Sequence, residues 1–223
     1  MKKFIIAAVM TVSLAFTAMA DTWINAGFNA ANLWDKRTTS SIVTEQQYFM
    51  PGLYLNLNTF KNKSLMGLWL HGDLVFPGTC KTTVNNSSTE RNISDMWNDT
   101  AIDYGFIVGP MFRIPLGSFL DFYLGAGFAL NFQNYKRSST VFGVKSETEF
   151  FAMNLGLGAD VGVKLNFSKN IYINGGLNAN WFWSSYETTT TKVGANVTQQ
   201  KGWTDSTYSS WAIKPYVGAG FAF

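Results

Sequence analysis

Charged side chains are scarce in this chain. Asp, Glu, Lys and Arg make up 14% of its 223 residues, whereas they make up roughly 25% of a typical soluble domain. The 17 basic and 14 acidic residues also nearly cancel, so the chain lacks the excess of positive charge with which proteins neutralise nucleic-acid phosphates. We therefore expect no nucleic-acid partner.

Cysteine and histidine occur only once each, as Cys80 and His71. A single cysteine excludes an internal disulfide and leaves two interpretations, an inert thiol or a disulfide between two chains. The sequence also contains no phosphate-binding loop, no cluster of metal ligands and no Cys–His arrangement. We therefore expect neither a metal ion nor any other cofactor.

Long apolar runs are absent after residue 20, where no stretch approaches the roughly 18 consecutive apolar residues of a membrane-spanning helix. The first 20 residues, MKKFIIAAVMTVSLAFTAMA, combine two lysines, an apolar run and a small-x-small sequence that ends at Ala20. This pattern is typical of a secretory signal peptide, and an uncleaved membrane anchor is the alternative. We expect a cleaved signal peptide over residues 1–20 and a single domain over residues 21–223.

What the chain does contain is strict alternation of apolar and polar residues. Over residues 150–167 the odd positions are apolar, and the even positions after Phe150 are polar or small, mostly glycine and asparagine. Successive side chains of a strand point to opposite faces, so this alternation predicts a strand with one apolar and one polar face. The same pattern recurs at residues 23–31, 49–57, 66–76, 101–114, 121–133, 171–183 and about 207–223.

The connections between these eight predicted strands alternate in length. Short turns are predicted at about 60–64, 115–118 and 168–170, and long loops at about 35–46, 78–100, 134–148 and 185–206. Short and long connections over an even number of strands predict an all-β fold, a transmembrane antiparallel up-and-down β-barrel of eight strands. The last strand must then pair with the first, because no unpaired edge is tolerated in lipid.

A soluble barrel of the lipocalin type is the alternative fold, and it would place the apolar face inside. An eight-stranded lumen is too narrow for the many Phe and Trp side chains of that face. Aromatic residues also fall near both ends of the strands, as in the two interfacial girdles of a membrane barrel, although β-propensity alone is another explanation. The predicted girdle residues are Trp181, Trp183 and Trp211 at the loop end and Phe167 and Phe221 at the turn end.

The inward face of the predicted barrel carries few ionisable side chains: His71, Asp73, Asp103, Arg113, Asp160, Lys164 and Lys214. An unpaired charge in a dry, narrow lumen costs several kcal/mol, so we expect a paired polar network that acts either as a plug or as a gate. His71 and Asp73 share a face and would suit a catalytic His–Asp pair. The neighbouring inward faces offer no compelling serine, and we expect that the chain is not an enzyme.

The signal peptide, the eight alternating strands and the terminal sequence YVGAGFAF together resemble the small eight-stranded outer-membrane proteins of diderm bacteria. This group includes the OmpA transmembrane barrel, OmpX/Ail and OmpW. The resemblance implies a monomer in the outer membrane, surrounded by outer-membrane lipid. It also implies that Tyr216, Phe221 and Phe223 form a C-terminal signal for the barrel-assembly machinery.

The long loops are the remaining candidates for function, because binding residues are often carried by loops on a rigid scaffold. They are rich in Thr, Ser and Asn and contain Trp97 and Trp203. We expect a structural or surface-interaction role, adhesin-like, in which the loops bind a host or surface ligand; solvated loops without a partner are the alternative. A second hypothesis, by analogy with OmpW, is a narrow channel or transporter for small or hydrophobic solutes.

Overall fold

Antiparallel strands dominate the computed structural model, which describes residues 21–39, 42–61, 64–84, 87–204 and 207–223. The predicted signal peptide, residues 1–20, lies outside the described residues. In chain order the elements are β1 (Asp21–Thr39), β2 (Ile42–Phe60), β3 (Met66–Val75), β4 (Thr79–Val84), β5 (Ser87–Asn92), α1 (Ile93–Met96), β6 (Thr100–Pro115), β7 (Leu120–Val141), β8 (Val144–Asn166), β9 (Ile171–Val193), β10 (Asn196–Trp203) and β11 (Thr207–Ala222). No helix in these ranges is long and apolar enough to cross a membrane.

Eight of the strands close into a ring. Their order is β1-β11-β9-β8-β7-β6-β3-β2, and β2 pairs again with β1. The closing pair, β1 and β11, extends from Trp23 opposite Ala222 to Thr38 opposite Thr207. Just beyond it, the backbone N–H of Thr22 donates to the carbonyl of Phe223 at 2.8 Å. The predicted eight-stranded antiparallel barrel is therefore confirmed.

The predicted loops are for the most part not loops. The strands continue as hydrogen-bonded hairpins through most of the four segments, at about 35–46, 78–100, 134–148 and 185–206. The pairing of β1 with β2 continues to Thr39 opposite Ile42, and that of β7 with β8 to Val141 opposite Val144. Threonine favours extended backbone because its side chain is β-branched, so these Thr-rich segments extend the strands beyond the barrel. The short turns lie at the opposite end of the barrel, which we call the turn end.

The outer surface of the ring is apolar and the lumen is mostly polar. On β7 the side chain of Phe128 is 46% exposed, whereas that of the next residue, Ala129, is fully buried. The same alternation holds along the other ring strands, with exposed Leu, Val, Ile and aromatic side chains on the outside. An apolar surface of this extent is the lipid-facing band of a membrane barrel, and it excludes the soluble barrel with an apolar interior.

Glycines on the inward face make room for large inward side chains. In each case a Cβ atom placed on the glycine would collide with the ring or hydroxyl of an aromatic residue on another strand of the barrel. The glycine therefore keeps a narrow lumen wide enough for one large side chain at that height. The pairs are Gly125 with Trp69, Gly162 with Tyr123, Gly176 with Tyr216, Gly218 with Tyr54, and Gly220 with Tyr172.

The direction of the side chains is open to direct test with two neighbouring cysteines in a Cys80→Ser background. Phe128→Cys should react with a lipid-soluble maleimide when the protein is in bilayers, because its side chain faces hydrocarbon. Ala129→Cys should remain unlabelled, since it points into the packed lumen. Labelling of Ala129→Cys but not of Phe128→Cys, measured by mass spectrometry, would show that the two faces are reversed.

Candidate functional site

Two cations and two carboxylates close the turn end of the lumen. The guanidinium of Arg113 on β6 pairs with the carboxylate of Asp21, the first residue of β1. Lys164 on β8 donates from Nζ to Asp121 Oδ2 at 3.3 Å, directly across the register from it. The same ammonium lies 3.7 Å from the centre of the Trp23 ring. Charges are therefore balanced in this layer, and the aromatic ring fills the remaining space.

A layer of tyrosines crosses the lumen above this plug. The hydroxyl of Tyr216 donates to both oxygens of Asp160, at 2.9 and 3.0 Å. It accepts in turn from the hydroxyl of Tyr123 at 2.8 Å. The hydroxyl of Tyr54, from the opposite wall, donates to Asn174 Oδ1 at 3.2 Å. Hydrogen bonds thus connect β2, β7, β8, β9 and β11 across the interior.

The third layer brings together His71, Asp73 and Lys214. The ammonium of Lys214 lies 2.6 Å from Asp73 Oδ2, and His71 Nε2 lies 3.1 Å from the same oxygen. The other ring nitrogen, Nδ1, lies 2.6 Å from Asn56 Oδ1, which also accepts from the indole of Trp69. Both nitrogens of His71 are engaged, so neither is free to accept a proton from a nucleophile. That the chain is not an enzyme stays a prediction.

The seven predicted lumen residues all face inward, but they do not form one paired network. Arg113 and Lys164 belong to the turn-end plug, well away from the layer of His71 and Lys214. Within the described ranges neither Asp103 nor Asp160 has an ion-pair partner. Asp103 is fully buried and accepts a long hydrogen bond, at 3.4 Å from Gln133. Their common role as a plug or a gate stays a prediction.

The interior also contains three carboxylates and two apolar side chains that the sequence pattern did not predict. The inward position of Asp121 could have been predicted, because it lies two residues before Tyr123 on β7 and therefore on the same face. Asp35 falls in a predicted loop, but β1 continues through this residue. Its side chain points inward and is only 4% exposed. Ile107 and Met111 are buried in the lumen, in the apolar and aromatic cluster that includes Trp69; their position in the inward series of β6 was the available signal. The third carboxylate that the pattern did not predict is Asp21, the partner of Arg113.

Bulky aromatic residues lie on the outer surface at both ends of the barrel, and all five predicted girdle residues are among them. Trp181 stacks on Trp211 at 5.6 Å between ring centres and contacts Trp183 at 5.4 Å. Phe167 and Phe221 are exposed at the turn end. Their position at the lipid–water boundary stays a prediction, since it follows from the pattern of exposure alone.

The three residues of the predicted assembly signal do not share a face. Phe221 and Phe223 are exposed on the outer surface, at 59% and 66%. Tyr216 instead points into the lumen, where it holds Asp160. Recognition of this segment by the assembly machinery stays a prediction, and the structure gives Tyr216 a role inside the finished barrel.

The outer hairpins present an apolar cluster at their ends. Phe142 is fully exposed in the turn between β7 and β8 and has a φ of 51°, in the left-handed region. The backbone N–H of Gly194, in the turn after β9, donates to the carbonyl of Lys145 at 3.0 Å, so the two hairpin ends meet. We call the exposed apolar side chains of this region the tip patch: Phe142, Val144, Val193 and Val197.

The single cysteine lies in β4 and is shielded from solvent. Cys80 is 1% exposed, and its Sγ lies 3.6 Å from Thr82 Oγ1. Burial raises the pKa of the Cys80 thiol, which lowers the fraction of reactive thiolate. This environment favours the inert thiol over a disulfide between two chains.

The sequence of the chain matches the model of one known protein family. The model of the Opacity family of porin proteins matches residues 81–203. That segment is more than half of the chain. The chain belongs to the Opacity family. The matched residues begin in β4 and end with β10, so they include the ring strands β6 to β9 and the tip patch.

Solved structures share the fold at low sequence identity. A major outer membrane protein from Thermus thermophilus has a TM-score of 0.55 and 12% identity, over 89% of this chain and 99% of that chain. OprG from Pseudomonas aeruginosa has a TM-score of 0.52 and 10% identity, over 92% and 97%. AlkL, solved in lipid bilayers, has a TM-score of 0.52 and 10% identity, over 92% and 90%.

Identities this low establish the fold and nothing finer. No curated protein sequence matches the chain. With the family assignment, the fold makes this Opacity family member an integral β-barrel of the bacterial outer membrane.

The ion pair between Lys214 and Asp73 should be costly to break from one side. We expect Lys214→Met to lower the free energy of unfolding by about 3 kcal/mol, because it leaves a buried carboxylate without its cation. Lys36→Met should cost less than about 1 kcal/mol, since its pair with Glu45 is exposed to water. Urea unfolding in lipid vesicles measures both changes.

The double variant Lys214→Met with Asp73→Asn separates pairing from packing. It should recover part of the loss, because no uncompensated charge remains in the lumen. Equal destabilisation by the single and double variants would contradict an electrostatic role for this pair.

Proposed function

We propose that this Opacity family barrel is a surface-interaction protein with an adhesin-like role, and that the tip patch binds a host or surface ligand. The observation that carries the proposal is the fully exposed Phe142 in a left-handed turn, at the far end of the hairpins. A bulky side chain with positive φ costs roughly 1–2 kcal/mol. Strain of this kind is typical of functional sites.

The length of the strands supports a role outside the membrane. Strands β7, β8 and β9 contain 22, 23 and 23 residues, while a tilted strand needs roughly 9–11 residues to span the bilayer. About half of each strand therefore stands clear of the lipid. Because these extensions are fully paired, they hold the tip patch rigidly, and little conformational entropy is lost on binding.

The chemistry of the tip patch also supports binding. Four apolar side chains are exposed near the ends of two adjoining hairpins, in a region that is otherwise polar and rich in threonine. Exposed apolar side chains on a part of a protein that faces water are often used for interaction with a partner. The Thr side chains around it supply hydroxyl groups for a polar rim, as in other binding interfaces.

Polar substitution of the tip patch tests the proposal. Cells that display a variant with Phe142→Ser, Val144→Thr, Val193→Thr and Val197→Thr should adhere to host cells or extracellular matrix with at least about tenfold lower affinity, because a loss of 1.4 kcal/mol already gives that factor. Adherence is measured by flow cytometry at equal surface display.

A matched control comes from the other hairpins. Ile42→Thr with Val84→Thr makes the same chemical change at exposed apolar positions outside the tip patch, and it should leave adherence unchanged. Equal loss in both variants, or none in either, would refute the assignment of binding to the tip patch.

The second candidate is a narrow channel or transporter for small or hydrophobic solutes, and the polar lumen favours it. Buried Asn, Asp, Lys and Tyr side chains line the interior from the turn-end plug to the opposite end, from which the hairpins extend. We call this opposite end the mouth. Conductance in planar bilayers that is lost in Lys214→Ala or Asp160→Ala would support the channel. A silent wild-type protein, with adherence lost in the tip-patch variant, would support the surface role.

A further inference from the structure

The four arginines of the chain fall into two pairs. Arg37 and Arg113 each form an ion pair with a carboxylate. Arg91 on β5 and Arg137 on β7 are exposed, and neither forms an ion pair with any of the described residues. Both line the same cavity, of about 540 Å³, a volume within the range of roughly 300–1,000 Å³ that is usual for small-molecule sites. The fold thus brings its two uncompensated guanidinium groups to a space that can hold a ligand.

Two separate parts of the outer hairpins form the walls of this cavity. One wall consists of the end of β5, α1 and the residues after it, and the other of β7 and β8. The side-chain amide of Asn98 joins them: its Nδ2 donates to the carbonyl of Ser138 at 2.9 Å, and its Oδ1 accepts from the backbone N–H of Ser138 at 2.9 Å. The backbone N–H of Asp99 also donates to the carbonyl of Lys136 at 3.1 Å. The walls are therefore held together before a ligand enters, which lowers the entropic cost of binding.

Trp97 positions one of the two arginines. Its ring contacts those of Tyr135 and Phe150, at 5.6 and 6.2 Å between ring centres, and Tyr135 is buried. The guanidinium of Arg137 lies over the Trp97 ring, with its central carbon 5.6 Å from the ring centre. A guanidinium held over an aromatic face keeps the N–H groups at its edge available as donors. Arg137 is therefore preorganised for an acceptor in the cavity.

The lining carries a net positive charge and many hydroxyl groups. Arg91 and Arg137 share the cavity with one carboxylate, that of Asp95 in α1. The side chains of Ser139 and Ser146 line it from β7 and β8. Guanidinium groups bind carboxylate, sulfate and phosphate through pairs of N–H donors, and hydroxyl groups both donate and accept. The lining suits a ligand with one oxyanion and several hydroxyl groups.

We propose that this cavity, the arginine cavity, binds an acidic sugar, which is a sugar unit that carries a carboxylate, sulfate or phosphate group. The oxyanion lies between Arg91 and Arg137, and the sugar hydroxyls contact the serines of β7 and β8. Most of the lining residues are polar, which favours a polyhydroxylated ligand over an apolar acid. The inference goes beyond the proposed function and does not rest on it, because no tip-patch side chain is among the lining residues.

Binding of matched monosaccharides to the wild-type protein tests the proposal. Glucuronic acid, glucose 6-sulfate and glucose 6-phosphate each place one oxyanion at position 6 of glucose. In micelles of a detergent without sugar or charged groups, at least one of them should bind with a dissociation constant at least about tenfold lower than that of glucose, because only the oxyanion engages both guanidinium groups. Saturation-transfer NMR measures the constants, and the acid that binds most tightly identifies the anionic group. Equal binding of all four sugars, or binding of none, would overturn the proposal.

Four variants assign the binding to the arginine cavity. Arg91→Gln and Arg137→Gln should each weaken binding of the acidic sugar at least about tenfold, and Asp95→Asn should strengthen it, because it removes a repulsive charge. Lys201→Gln is the matched control, since it removes an exposed positive charge from β10, outside the cavity; it should change the affinity by less than about twofold. All four side chains are exposed, so the barrel should fold in each variant. Equal weakening by Lys201→Gln would overturn the assignment, since overall charge would then explain the binding.

Two comparisons separate this site from the tip patch and from a peptide site. The tip-patch variant should bind the acidic sugar as the wild type does, even where its adherence is lost; loss of sugar binding in that variant would contradict the arginine cavity. Adherence that survives in the tip-patch variant would refute the proposed function alone. Glutamate with blocked amino and carboxyl termini offers a carboxylate without sugar hydroxyls. If it binds more tightly than all three acidic sugars, the ligand is an acidic peptide and the proposal of a sugar is wrong.

Discussion

The closure of the sheet determines most of what this protein can be. In hydrocarbon, every backbone N–H and C=O group needs a partner within the protein, and the pairing of β1 with β11 provides the last of them. An eight-stranded ring fixes a lumen just wide enough for side chains. The alternation of inward glycine and inward aromatic residue, as in Gly176 and Tyr216, follows from that width. The interior is therefore filled by side chains, and hydrogen bonds between polar groups accompany the contacts of a buried apolar and aromatic cluster.

In a packed interior without bulk water, each buried charge has to be neutralised by a group in direct contact with it. Arg113 and Lys164 lie within direct contact of the carboxylates that they neutralise, and aromatic rings separate them from the layers above. Lys214 cannot compensate for all the carboxylates near the mouth, because its ammonium is already held by Asp73 at 2.6 Å. The charges at the turn end are therefore matched, whereas buried carboxylates outnumber cations in the rest of the lumen.

The sequence predicted the ring and the direction of its side chains, because one face meets lipid and the other meets the lumen. That contrast disappears where both faces of a strand meet water, so the Thr-rich hairpins were read as loops and Asp35 was missed. Partners across the barrel were also beyond prediction. Lys164 and Asp121 were on adjacent predicted strands, but their contact depends on the register, and the tilt of the strands separates Arg113 from Lys214 in height. Ile107 and Met111 show that a lumen position tolerates an apolar side chain when its neighbours complete the packing.

A β-bulge lies in the pairing of β8 with β9, at the height where β9 stops pairing with β11 and continues into the outer hairpin. In the pairing of β8 with β9, Leu155 lies opposite Ser184 and Gly156 opposite Phe182, which leaves Trp183 as an extra residue. A bulge of this kind bends a strand and increases its twist. Beyond the bulge, β9 carries Glu187 to Arg37 on β1, although β11 lies between the two strands. The ion pair therefore bridges the mouth above Asp35 and Tyr208.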